Sequence, residues 1–213
     1  MSRYVSQFKD LHNHYGVALE TAPIHPGIAA LSLSWANGAQ HKRVMRQLAH
    51  LSNIIIITRD QGGGRITVDE YGKPVIHYQL AEEDKPHLMR GIIESLRILR
   101  AAGAREVSAP QTIPLTFRTD EGGDFEGFVQ NVEAAGLRTN SFALFSAHQM
   151  SSCRMAGNAA HGAIDPSGET FEVRNLYVAD GSALPTAIGV NPMLTIMGVS
   201  HQIAQHIKAR VGH

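Results

Sequence analysis

Twelve histidines and a single cysteine are the side chains best suited to acid–base, metal or nucleophilic chemistry, so their spacing is the first constraint on function. His12 and His14 can share one face of an extended segment as two metal ligands, but no third ligand of matching geometry follows. His201 and His206 are five apart on a helical stretch, not at the i, i+4 spacing of a helical metal pair. No metal site is therefore expected. Cys153 has no base beside it in sequence, which argues against a nucleophile. Arg154 fits a phosphate or structural contact, with surface or ion-pair duty the commoner role. His148, taken alone, reads as a histidine satisfied at the end of a short strand, Phe142–Ala147.

The corner Gly189-Val190-Asn191-Pro192-Met193 carries more information. Before it, Asn175–Asp180 is a compact run of β-formers stopped by Asp180-Gly181, which predicts a short buried strand. After it, Met193, Ile196, Met197, Ser200, Ile203, Ala204 and Ile207 recur at helical spacing. Asn191 then falls at the N-cap and Pro192 in the first turn, where each is favoured. Unpaired N–H groups and the positive end of a dipole make such a helix start suited to an electron-rich group.

The elements around these residues mix both periodicities. Residues 1–38 show little periodicity and read like the middle of a domain, with a strand at Val17–Thr21 and a short helix over Pro26–Trp35. Ala39–Leu51 predicts an amphipathic helix, and the β-branched run Asn53–Arg59 a buried strand. Arg65–Val68 and Val75–Leu80 alternate around Asp69-Glu70-Tyr71-Gly72, a hairpin signature. Glu82–Ala102 is the longest predicted helix, with Pro86 in its first turn and Gly103 at its end. A strand at Arg105–Ser108 and a helix within Gly122–Thr139 follow. Gly162–Gly168 is a connector ending in the tight turn Asp165-Pro166-Ser167-Gly168. The fold class is α+β: an antiparallel sheet with packed helices, then a strand–loop–helix belonging to a larger α/β unit.

Composition narrows the partners. Nineteen basic and nineteen acidic residues cancel, so no overall basic footprint for nucleic acid is present. The longest aliphatic run, Ile54–Ile57, is far too short to span a bilayer, and Met1-Ser2-Arg3-Tyr4 onward lacks the pattern of a leader. One cysteine excludes an internal disulfide and fits a reducing compartment, with a soluble, cytoplasmic protein as the default expectation.

Three segments together carry a family resemblance. Phe145-Ser146-Ala147-His148-Gln149-Met150-Ser151-Ser152-Cys153-Arg154-Met155, then Asn175–Ser182, then Gly189–Ile196, resemble in order and spacing the C-terminal signature of the glucose–methanol–choline (GMC) flavin oxidoreductases. Ala22–Gly27 and Thr58–Arg65 resemble the long-chain fatty alcohol oxidase and dehydrogenase branch. The resemblance implies FAD as cofactor and oxidation of an alcohol, long-chain and apolar in that branch's manner, by hydride transfer to flavin N5. It implies His148 as acid/base and Asn191 as the paired residue that hydrogen-bonds the substrate oxygen. It also implies cofactor contacts at Asp180 and Gly181 near the ribityl–pyrophosphate region and at Asn191, Pro192 and Met193 beside the pyrimidine ring.

Two positions depart from the family pattern. Ser151 stands where glycine is usual, and Met155-Ala156 where Met-Gly is usual, which adds side chains to a loop near the active site. No Gly-x-Gly-x-x-Gly follows a strand and opens a helix, so the dinucleotide fingerprint is missing. The expected organisation is part of a substrate-binding domain in 1–145, then a 146–213 segment with the catalytic pair that returns to the FAD-binding domain. That N-terminal FAD-binding domain would be the partner, as absent sequence or as another chain. The alternative is a non-catalytic remnant or subunit serving as a folding or interaction module.

Overall fold

The computed structural model describes residues 3–212; Met1, Ser2 (the start of the stretch read for a leader) and His213 lie outside the described residues. In chain order the elements are β1 (Arg3–Ser6), β2 (Val17–Glu20), α1 (Pro26–Ser32), α2 (Gly38–Arg46), β3 (Ile55–Thr58), β4 (Arg65–Val68) and β5 (Pro74–His77). Then come α3 (Lys85–Ala101), β6 (Glu106–Ser108), β7 (Thr116–Arg118), α4 (Phe125–Ala135) and α5 (Met193–Val211). The mixture of helices with small antiparallel sheets is α+β, as the interleaved periodicities require. The chain divides into two compact units, 1–58 with 80–145, and 59–79 with 146–213.

In the first unit β2 is the middle strand of an antiparallel sheet, β1–β2–β3, and all four of its residues are buried. The register pairs Val17 with Thr58 and Leu19 with Ile56, so these side chains share one face. Helix α3 buries His87, Leu88, Met89, Gly91, Ile92, Ile93, Ser95 and Leu96, and several of these join one core with Val107, Phe125, Val129, Val132 and Leu137. Phe117 meets Phe125 edge-on at 5.3 Å, and the Arg100 guanidinium lies over the Phe125 ring at 4.4 Å. α4 is capped by Asp124, which accepts from the Gly127 N–H, and ends at Gly136 with φ 68°.

A buried polar cluster at the start of α3 was invisible to local pattern. His87 is fully buried, stacked on Tyr15 with ring centroids 3.7 Å apart. Its Nδ1 accepts the Gly16 N–H at 3.2 Å, so Nε2, 2.6 Å from the His12 carbonyl, carries the proton. Tyr15 donates to the Asp84 carboxylate at 2.5 Å. These bonds hold the 12–16 loop against α3 over a sequence separation that periodicity cannot register.

The second unit is built differently. β4 and β5 pair antiparallel from Arg65↔His77 to Val68↔Pro74, giving the expected hairpin, but nearly every side chain on both faces is exposed. Two expected strands need correction. Phe142–Ala147 forms only one bridge, Phe142 to Gln111, and Asn175–Asp180 only one, Tyr177 to Glu169. Each run has β-forming residues but no neighbouring strand to complete a ladder, so its backbone bonds go to loops, as from the Ala143 N–H to Pro110 and from the Val178 N–H to Gly168. Two strands, β1 and β7, went unpredicted because they are three or four residues long and mixed in polarity. Finally, the residue that caps α5 is Pro192 rather than Asn191.

Candidate functional site

The second unit gathers the three motif segments. Asp180 begins a single 3-10 turn over Gly181–Ala183, where its Oδ1 accepts the Ser182 N–H at 2.7 Å and the Ser182 hydroxyl at 2.6 Å. The Ser182 hydroxyl, and then its N–H, hold the Asp180 carboxyl below its ordinary range. The carbonyls of this turn receive the first motif: Cys153 N–H donates to Ser182 at 3.1 Å and Met155 N–H to Ala183 at 2.9 Å.

Gly181 is where the segments meet most closely. A methyl group placed on it would lie 3.0 Å from the Gln149 carbonyl oxygen and 3.1 Å from the Ile196 Cδ1. Gln149 is the residue after His148, and Ile196 is in the first turn of α5, five residues after Asn191. Glycine therefore lets the His148 bend and the start of α5 close on the Asp180 turn. Ser200 donates its hydroxyl to the Ala179 carbonyl, a second tie between α5 and the segment before Asp180. At the corner itself, Gly189 has φ 68° and lies against the Arg59 side chain, which brings the Thr58–Arg65 motif alongside.

The predicted site residues have distinct settings. His148 is half-buried in a bend that Gln149 closes by donating to the Ser146 carbonyl at 2.5 Å. Asn191 is exposed, Pro192 is buried, and Met193 is 67% exposed. The start of α5 is thus anchored by Pro192, while its first-turn residues Met193, Leu194 and Thr195 face outward. The first turn of a helix presents N–H groups and the positive end of a dipole, which favour an electron-rich neighbour. Donors of this kind are compatible with a reduced, negatively charged ring such as a flavin's.

The remaining anchors of α5 come from the connector, whose tight turn the sequence shows but whose contact with α5 it does not. Ile203, the one buried residue of α5, packs against Gly168, whose φ is 86°. Asp165 forms the expected turn, accepting the Ser167 N–H at 2.8 Å and the Glu169 N–H at 3.1 Å. Burial raises the Asp165 carboxyl, but the bonds from Ser167, Glu169 and Gly168 outweigh it and leave the group below its usual range. Arg210, in the last turn of α5, donates to Glu169 and, at 2.9 Å, to the Tyr177 hydroxyl. The Asn175 N–H, and next Arg210, hold the Glu169 carboxyl low.

The two departures from the family pattern now have geometry. Ser151 sits at φ 70°, in the left-handed region that favours glycine. Ala156 has no such backbone, and its methyl instead packs on Gly162, where an added methyl would lie 2.7 Å away. Among the described residues no three His, Cys, Asp or Glu side chains are grouped to hold a metal ion.

Comparison with known proteins agrees with the motifs. Residues 60–200 match the sequence family described as GMC oxidoreductase. The chain is 36% identical over 202 residues to long-chain-alcohol oxidase FAO4A of Arabidopsis thaliana, covering 93% of this chain and 27% of that protein. It is 36% identical over 204 residues to long-chain-alcohol oxidase FAO1 of the same plant, covering 91% of this chain and 26% of that protein. The chain therefore spans about a quarter of the length of these relatives. Among solved structures, an FAD-dependent oxidoreductase from Chaetomium thermophilum shares the fold, with a TM-score of 0.50 at 17% identity, covering 87% of this chain and 35% of that one.

Proposed function

The chain belongs to the GMC oxidoreductase family, whose members are flavoproteins, and on that ground we propose that it is the C-terminal part of an FAD-dependent oxidoreductase acting on the CH–OH group of long-chain, apolar alcohols. The observation that carries the reading is the convergence at Gly181 of the His148 bend, the Asp180 turn and the start of α5. Bound FAD supplies the acceptor for the two electrons leaving the alcohol carbon. His148 takes the hydroxyl proton on its imidazole, a group whose ordinary titration lies near neutrality. Asn191 donates a side-chain N–H to the substrate oxygen and does not compete for the proton. Asp180 and Gly181 hold the cofactor's ribityl–pyrophosphate region. Pro192 and Met193, at the start of α5, would hold the ring end of the cofactor, and the helix dipole would favour negative charge there.

The partner in this reading is an N-terminal FAD-binding portion, in the same protein or as a second chain. The outward-facing Met193, Leu194 and Met197 of α5 are the kind of apolar surface such a portion would cover. A second reading, a non-catalytic module, draws on Ser151, whose side chain occupies a backbone setting that glycine would fill without strain.

The flavin absorbance spectrum separates the two. The chain produced with an FAD-binding portion of a relative should yield a yellow complex whose flavin band bleaches when a long-chain alcohol is added without oxygen. A colourless complex, or a flavin band that alcohol leaves unchanged, would favour the non-catalytic module.

A further inference from the structure

Four residues on one stripe of α5, Ile196, Ser200, Ile203 and Arg210, touch the chain that leads into the Asp180 turn; their spacings are four, three and seven. Their partners run in the opposite direction. Ile196 meets Gly181, Ser200 donates to the Ala179 carbonyl, and Arg210 donates to the Tyr177 hydroxyl at 2.9 Å. Alternate residues of the segment, 181, 179 and 177, thus meet the helix at successive levels. Ile203 packs on Gly168, whose carbonyl accepts the Val178 N–H at 3.0 Å, so the fourth contact is tied to the same segment.

In a sheet, a backbone ladder and a buried face set register. This segment has one bridge, Tyr177 to Glu169, so side chains must set its register against α5. Arg210 is the most specific of them, because a guanidinium offers its donors in a fixed fork. Glu169, its acceptor, has a side chain only 15% exposed. The other Glu169 oxygen accepts the Asn175 N–H at 2.7 Å, and Asn175 stands at φ 64°, in the left-handed region. One carboxylate therefore joins the last turn of α5 to the turn from which the 177–181 segment starts.

We infer that Arg210 and Glu169 are positioning residues: their pair locks the register of α5 against 177–181 and so sets the Asp180–Gly181 turn relative to the start of the helix. The inference rests on the proposed FAD-linked reading, in which that turn and that helix start hold two parts of one cofactor. Arg210 is about 25 Å along the helix from Met193, at 1.5 Å per residue, so it acts through the helix. Ile203 is the one buried residue of α5, so little packing opposes a tilt about it. A shift at the last turn, about 10 Å from this pivot, is carried to the first turn, about 15 Å beyond it.

The test uses the chain produced with an FAD-binding portion of a relative, with affinity read from the change in flavin fluorescence on binding. Arg210→Ala should raise the FAD dissociation constant roughly tenfold. The unfolding midpoint of the chain should stay near the native value, because the pair is partly exposed. Arg210→Lys keeps the charge and should recover most of the affinity. In the chain alone, Arg210→Ala should speed hydrogen exchange at the Cys153, Met155 and Ser182 amides, which bond within or onto the Asp180 turn, and leave α3 unchanged. Native FAD affinity in Arg210→Ala would overturn the inference. So would equal losses in Arg210→Ala and Arg210→Lys with a lowered unfolding midpoint, which would mean a role in stability alone. A native pair that binds no flavin would count against the FAD reading itself; the exchange rates of the chain alone then decide the register lock, and unchanged rates would overturn it.

Discussion

Helices α3 and α5 are close in length, 17 and 19 residues, and both carry apolar residues at helical spacing, yet eight residues of α3 are buried and one of α5. α3 spends its apolar face on the fold: Leu88, Ile92 and Leu96 join the core of the first unit with α4 and β6. α5 is held by a few point anchors instead, with Ile203 on Gly168, Ser200 on the Ala179 carbonyl and Arg210 on Glu169. Its N-terminal turn keeps Met193 and Leu194 outward. A helix held at a few points leaves most of its apolar side chains outside the core of its own unit.

The sharpest test of that contrast is truncation at equivalent apolar positions. Leu96→Ala, at a site 2% exposed, should cost about 2–5 kcal/mol in urea or thermal unfolding. Met197→Ala, at a site 60% exposed, should change stability by no more than about 0.5 kcal/mol. Equal losses would mean that α5 is a core helix after all. Next in size is Gly168→Ala. Its methyl would meet three Ile203 carbons at 2.8 Å from a backbone with φ 86°, so loss of about 1–3 kcal/mol is expected, read as faster hydrogen exchange in α5. Ser151→Gly should act in the opposite direction, raising stability by about 1 kcal/mol because it relieves a left-handed serine. A neutral or destabilising result would show that the serine side chain makes good the strain.

The two helices' surroundings should also differ in acid. Asp165, Glu169 and Asp180, all in the second unit, have carboxyls held below their ordinary values of 3.8, 4.5 and 3.8. The folded state then binds fewer protons than the unfolded one at these sites. Their contribution is complete above those ordinary values and is lost as pH falls through the lower folded ones. Hydrogen exchange between pH 5 and pH 3, corrected for its intrinsic rate, should loosen the α5 anchors before α3 (range chosen around the reference carboxylate values, roughly 4).

What the sequence revealed follows the same division. Elements that satisfy themselves locally were legible: α3 from its apolar spacing, α4 from Asp124 and Gly136, and the β4–β5 hairpin from its alternation. Phe142–Ala147 and Asn175–Asp180 misled because a strand needs a neighbour, and composition does not reveal whether one is present. The Tyr15–Asp84–His87 cluster was hidden because its bonds join residues about seventy apart. The candidate site was legible as three motifs, but only folding brought Gln149 and Ile196 together at Gly181. Asn191 illustrates the limit of a local rule: a good N-cap type, it stands one residue outside a helix whose cap is Pro192.

The most direct measurement is turnover of a long-chain alcohol by the His148→Ala chain produced with an FAD-binding portion of a relative, set against the unsubstituted pair. His148 lies half-buried in a bend, so the change should leave the flavin absorbance and the fold intact. Loss of the proton acceptor should lower kcat by about 100-fold or more and remove the limb of the pH profile that a titrating base produces. Native turnover with an unchanged pH profile would contradict the assignment of His148 and, with it, the catalytic reading of the surface that α5 helps to form.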